Sequence, residues 1–237
     1  MIWLRSLLFL IWFYAVSIPL AIAYSATLVM PRSAIMWGLR VWTRLVNFGL
    51  NVIAGVHIEL RGREFLPTGR ALIAAKHQGV FDTIGPFSFM PDACFVLKKE
   101  LLSIPFYGWE AQRAGMIPID RKAHAKALKD LMRAARDRLK EPRQIIIFPE
   151  GTRQAPGAPP DYKPGVAALY RDLGLACTPM ATNSGVHWPA RGFLRRPGVI
   201  VFEFLPPIPP GLKRDEFMAE LQERIETASN RLLAEGL

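Results

Sequence analysis

Cysteine is nearly absent: the chain has two in 237 residues, Cys94 and Cys177. Each lies in an apolar, strand-like run, Cys94-Phe95-Val96-Leu97 and Leu175-Ala176-Cys177-Thr178. One disulfide is possible, but these surroundings favour two buried thiols in a reducing compartment. Histidine is scarce as well, with four residues, and no Cys/His cluster has metal-ligand spacing. No metal is therefore expected. There is no RNP-type aromatic motif, no zinc-finger spacing and no basic low-complexity tail, so no nucleic-acid partner is expected either. A Gly-x-Ser-x-Gly elbow is missing, which argues against a common serine hydrolase. Acidic residues are the minority, 20 against 30 basic, for a formal charge of +10. Such a surface suits anionic lipid headgroups or phosphorylated substrates.

Charge is also missing locally. Leu7 to Met30 is a run of 24 uncharged residues between Arg5 and Arg32, and about 20 apolar residues span a bilayer as a helix. Pro19 could kink one helix or divide two shorter membrane-dipping halves. A secretory signal would use Ala21-Ile22-Ala23 as its small-x-small site. Apolar character continues past that site, so a retained anchor is the reading adopted. Residues 33–50 mix Trp37, Leu39, Val41, Trp42, Leu45, Val46 and Phe48 with Arg40 and Arg44. That composition fits a helix at the membrane interface, with ordinary core packing as the alternative. Arg32, Arg40 and Arg44 outnumber Arg5, so the positive-inside bias puts the downstream domain in the cytoplasm.

After Gly55 the pattern changes to short apolar runs alternating with helical spacing. Strands are expected at Val56–Leu60, Ala71–Ala75, Cys94–Leu97, Gly115–Ile119, Gln144–Phe148, Ala176–Ala181 and Gly198–Leu205. His57 falls on the polar side of the first of these and receives no role. A helix is expected from the His77 loop to about Met90-Pro91. Leu128, Leu131, Met132, Ala135 and Leu139 keep helical spacing, with Lys126, Lys129, Arg133, Arg136 and Arg138 outside, a solvated face near anionic lipid. Further helices are expected from Lys163-Pro164-Gly165 to Leu173 and from about Arg214 to Leu233. Ile104-Pro105-Phe106-Tyr107-Gly108-Trp109 is either a turn with core packing or the wall of an acyl-chain groove. The fold class is α/β: a mixed, partly parallel sheet flanked by helices, with an N-terminal membrane-anchoring segment. The division is residues 1–54 as membrane-associated helices and 55–237 as the α/β domain.

One loop carries the chemistry. Lys76-His77-Gln78-Gly79-Val80-Phe81-Asp82 follows the strand Ala71–Ala75 directly. Histidine can take a proton near neutral pH, and a carboxylate behind it fixes its tautomer. On one continuous helix His77 and Asp82 would not share a face. They meet only if His77 lies in the loop and Asp82 in the first helical turn. A second strand, Gln144–Phe148, runs into Pro149-Glu150-Gly151-Thr152-Arg153. Ligands bind at the carboxyl ends of parallel strands, so the two loops form one site if their strands are neighbours.

These two motifs together, His77-x4-Asp82 and Phe148-Pro149-Glu150-Gly151-Thr152-Arg153, resemble the glycerolipid acyltransferases. Lys98-Lys99-Glu100-Leu101, Ile117-Pro118-Ile119-Asp120-Arg121 and Thr178-Pro179-Met180-Ala181 fit the same family in the same order. Lys76 and Gly79 depart from it, standing where the family more often has Asn and Ser. The resemblance implies acyl transfer from acyl-CoA or acyl carrier protein to the sn-2 hydroxyl of lysophosphatidic acid, at the cytoplasmic side of a bacterial inner membrane. It implies no cofactor beyond the acyl donor, which is a substrate. His77 would deprotonate the hydroxyl and Asp82 would orient it. Arg153 and Lys98 would hold the phosphate, Arg153 as a bidentate fork. Glu150, Gly151, Thr152 and Arg121 complete the expected substrate-binding set. Glu150 would accept a hydrogen bond from the glycerol or order the loop, and backbone N–H groups near Gly151 would serve the oxyanion. Ser184, Thr152 and the cysteines lack a base in an adjacent motif, so direct transfer without an acyl-enzyme is expected. Alternatives are another acceptor such as a lyso-ornithine lipid, a lipid hydrolase using the same pair, or a non-catalytic lipid-binding scaffold.

Overall fold

The computed structural model describes residues 1–24 and 30–236, so residues 25–29 of the uncharged run lie outside the described residues. The strands are Val56–Arg61 (β1), Ala71–Ala75 (β2), Ala93–Lys98 (β3), Ile117–Ile119 (β4), Gln144–Ile147 (β5), Cys177–Thr182 (β6) and Gly198–Phe204 (β7). The helices are Ile2–Tyr24 (α1), Arg32–Gly49 (α2), Tyr107–Arg113 (α3), His124–Arg138 (α4), Gly165–Leu173 (α5), Ser184–His187 (α6) and Arg214–Glu235 (α7).

β2 and β5 are apolar runs buried along their whole length. Strands of that kind belong inside a parallel sheet covered on both faces. They pair in parallel, Ala71 opposite Gln144 through Ala74 opposite Ile147, at the centre of a seven-stranded sheet of order β1-β7-β6-β2-β5-β3-β4. β6, β3 and β4 extend this parallel core, while β7 is antiparallel to β6 and carries β1 with it. Alternation along β2 then sorts the layers. Leu72 and Ala74 join Leu131 and Ala135 of α4, Leu169 and Tyr170 of α5, and Phe217, Leu221 and Ile225 of α7. Ile73 and Ala75 face the other way, onto a cluster with Phe9 of α1, Ile35 and Val46 of α2, and Ala111 of α3.

Several expectations change. Pro19 sits within α1 without dividing it. The helix is braced by α2, with Trp42 Nε1 donating to Ser17 Oγ at 2.9 Å and Trp12 Nε1 to the Leu45 carbonyl at 3.0 Å. Phe9 of α1, Ile35, Met36 and Val46 of α2, and Leu50 and Ala54 after it share one apolar cluster with the sheet, so at 54 the secondary structure changes while the core continues. Between Val80 and Ser88 two short 3₁₀ turns, Val80–Thr83 and Gly85–Ser88, replace the single helix expected there. Pro86 has no N–H to donate and disfavours helical geometry at the residue before it. Finally, α4 lies on the sheet face opposite α1 and α2. Its basic outer side is solvated and partly ion-paired, Arg133 with Asp130 and Arg136 with Asp172, but it does not adjoin the apolar helices.

The α1–α2 contact depends on one small residue. A Cβ on Gly49 would come within 2.2 Å of Trp12 Cδ1. Gly49→Val is expected to push the indole out of its seat and destabilise the fold by about 1–3 kcal/mol, as overpacking does. Thermal unfolding in detergent checks this; a midpoint equal to the parent's would show that α1 is not held by that contact.

Candidate active site

At Ala75 the chain leaves the sheet, and its last sheet-like bond is the Lys76 N–H to the Met180 carbonyl at 2.9 Å. The following turn is built around one carboxylate. Asp82 Oδ2 accepts from His77 Nδ1 at 3.0 Å, from the Gln78 N–H at 2.6 Å and from the Gly79 N–H at 2.8 Å. Its Oδ1 accepts from the Ser184 hydroxyl. A carboxylate only accepts, so Nδ1 carries the imidazole hydrogen and Nε2 holds a free lone pair. The ring is fixed by stacking on Phe148, with centroids 3.9 Å apart. Nε2 makes no hydrogen bond with any described residue. Asp82 lies in the 3₁₀ turn and His77 in the loop before it, the arrangement that lets a five-residue separation close.

The second motif grips the same residue. Glu150 Oε2 accepts the His77 N–H at 2.8 Å, and the Gln154 N–H donates to the His77 carbonyl at 2.8 Å. Both backbone polar groups of His77 are thus bound by the loop after β5. Glu150 is therefore not exposed to a substrate: its side chain is 0% accessible and its other oxygen meets Lys76 Nζ at 2.8 Å. It orders the loop, which was the alternative to a glycerol contact. Burial pushes its carboxyl above the usual range, and the Lys76 ammonium pulls it back. The Gly151 N–H is also committed, donating to the Phe148 carbonyl at 2.9 Å, so it does not serve an oxyanion.

Thr152, Arg153 and Lys98 are exposed and make no side-chain hydrogen bond or ion pair with a described residue. Arg121 lies against the motif, its guanidinium carbon 3.9 Å from where a Gly151 Cβ would stand. Burial lowers its pKa from the ordinary arginine value, against the pull of Glu100. His77, Arg153, Lys98 and Arg121 follow or end β2, β5, β3 and β4, four adjacent parallel strands. At about 4.8 Å per strand, Lys98 stands roughly 10 Å and Arg121 roughly 14 Å along the edge from His77.

Other residues fall differently. Ser184 is buried and spends its hydroxyl on Asp82, so it orients that carboxylate and is no nucleophile. Cys94 and Cys177 are free and buried, their thiols pushed up to about 11 and about 12 by burial. His187 is buried, with Nδ1 3.0 Å from the Arg196 carbonyl, a structural contact. A Cβ on Gly79 would stand 2.5 Å from the Trp188 carbonyl, so the departure to glycine follows from that close approach. Nothing in the sequence signals that Lys76 binds Glu226, which lies 150 residues later on α7.

An imidazole held through Nδ1 with Nε2 open, on a strand edge that also carries cations, can take a proton from a hydroxyl. Residues 57–183 match the family model described as Acyltransferase, and the chain belongs to that family. The 1-acyl-sn-glycerol-3-phosphate acyltransferase of Pseudomonas aeruginosa is 34% identical over 194 residues, 82% of this chain and 76% of that one. The enzyme of the same name from Helicobacter pylori is 31% identical over 180 residues, 73% of each chain. The crystal structure of the 1-acyl-sn-glycerophosphate (LPA) acyltransferase PlsC from Thermotoga maritima superposes with a TM-score of 0.81 over 98% of each chain. At 20% identity that likeness shows the fold.

Asp82→Asn keeps the shape of the side chain but turns one acceptor into a donor. It is expected to cost about 1–3 kcal/mol for each buried donor left unpaired, read by chemical unfolding. Parental stability would remove Asp82 from the architecture of the loop.

Proposed function

We propose that this protein transfers a fatty acyl group from an acyl thioester, acyl-CoA or acyl carrier protein, to the sn-2 hydroxyl of lysophosphatidic acid, giving phosphatidic acid. The observation that carries this reading is His77, held through Nδ1 by Asp82 with Nε2 open, on the same strand edge as the unpaired Arg153. The thioester is already activated, so the reaction needs a base, positioning and charge stabilisation. His77 Nε2 takes the hydroxyl proton as the oxygen attacks the thioester carbonyl. The tetrahedral intermediate collapses, the C–S bond breaks, and the imidazolium returns its proton to the thiolate. No acyl-enzyme is required, which agrees with the buried, committed state of Ser184, Cys94 and Cys177. Arg153 and Lys98 hold the phosphate, with Arg121 beside them.

The membrane reading rests on exposed apolar side chains. Leu4, Leu8 and Ile11 of α1, Trp37 and Phe48 of α2, and Ile104, Tyr107 and Trp109 around α3 are all exposed. These elements cover one face of the sheet, and tryptophan and tyrosine favour the headgroup layer. We place the protein on the cytoplasmic side of a bacterial inner membrane, with α1–α3 against the lipid.

Purified protein given lysophosphatidic acid and acyl-CoA should release free CoA thiol, followed by a thiol reagent. His77→Ala should lower that rate by about 100-fold or more, the contribution of a positioned base; full activity in a folded variant would sink the mechanism. Arg153→Ala should mainly raise KM for lysophosphatidic acid, about tenfold for a lost charge-assisted contact, and an unchanged KM would take Arg153 out of phosphate binding.

A further inference from the structure

Behind the His77 loop lies a buried chain of charged groups. Lys76 is 2% accessible and Glu150 is 0% accessible. The Lys76 ammonium contacts Glu150 Oε1 at 2.8 Å and Glu226 Oε1 and Oε2 at 2.7 and 2.9 Å. Tyr162 donates its hydroxyl to Glu226 Oε1 at 2.8 Å, and Glu150 takes the His77 N–H through its other oxygen. Tyr162 comes from the loop before α5 and Glu226 from α7. The ammonium thus hydrogen-bonds both oxygens of Glu226 and forms an ion pair with Glu150 by proximity, so it bridges carboxylates on two separate elements.

We propose that Lys76 is a positioning residue for the acyl transfer, clamping the His77 loop to Glu226 of the C-terminal helix through Glu150. Two carboxylates this close cannot both stay ionised without a cation between them. With Lys76 present, Glu150 stays a carboxylate and holds the His77 N–H. Without it, one carboxyl takes up a proton or moves apart from the other, and the backbone carrying the base loses one of its two grips. The base then sits off its attacking geometry, while Arg153, Lys98 and Arg121 are untouched. This inference rests on the acyltransferase reading, and its signature lies in the rate profile. The charged and titratable groups facing Glu150 are Lys76, Glu226 and Tyr162, with His77 beside them in the loop. Loss of the cation favours protonation of every group around it, and loss of the anion disfavours it.

The test measures kcat, KM and the pH profile of the full-length protein with lysophosphatidic acid and acyl-CoA. Lys76→Met should lower kcat by about 100-fold, the scale of a misplaced catalytic group, with KM for lysophosphatidic acid unchanged and the acid limb moved to higher pH. Glu226→Gln should move that limb to lower pH, the opposite direction. Lys76→Arg, which can fork to both carboxylates, should recover most of kcat. Where Lys76→Met does not fold, Glu226→Gln and Lys76→Arg carry the test through the same profile. A purely structural role would lower thermal stability with no displacement of the limb, and that result overturns the proposal. So does parental kcat in folded Lys76→Met. A parent protein without acyl transfer would overturn the acyltransferase reading itself, a separate outcome visible before any variant is made.

Discussion

The backbone of His77 is held on both sides, its N–H by Glu150 and its carbonyl by the Gln154 N–H. That grip is the constraint on which the site depends. Strand-end loops are ordinarily mobile, yet a general base must stay within hydrogen-bond reach of its proton. Here the loop after β2 is fastened to the loop after β5, its neighbour in the sheet. Asp82 then collects three N–H groups of the turn and the Ser184 hydroxyl, so tautomer and backbone are set by one carboxylate. Glu150 bears the cost. A carboxylate at that depth is stable only when paired and hydrogen-bonded, and Lys76 and the His77 N–H supply both.

Most of the sheet was legible because buried parallel strands advertise themselves as unbroken apolar runs, as Ala71–Ala75 and Gln144–Ile147 do. The His77–Asp82 contact was legible as a condition: a strand end, a glycine and five residues permit it, and the turn at Val80–Thr83 fulfils it. What failed has a common cause. Residue type tells the chemistry of a side chain but not its depth. Glu150, sitting between Pro149 and Gly151 in a loop motif, looks like a substrate contact, and only packing shows that it points beneath the loop. Glu226 occupies an ordinary amphipathic helix, and its bond to Lys76 spans 150 residues that no periodicity connects. The helix expected after Asp82 failed because apolar residues between Val80 and Met90 fit a helix as well as two turns, and Pro86 decides for the turns. The basic side of α4 was placed near lipid because the face a crossover helix takes depends on strand order and handedness, neither of which is local.

The two faces of the sheet carry different side chains. α1, α2 and α3 present exposed leucine, isoleucine and tryptophan on one side, while α4 presents lysine and arginine on the other. The site occupies the strand edge between them, within reach of both. A phosphate calls for cations, and Arg153 and Lys98 make no ion pair with any other described residue at that edge. An imidazole on such an edge keeps its place only if the backbone that carries it is fastened. Glu150, buried, paired with Lys76 and holding the His77 N–H, meets that condition.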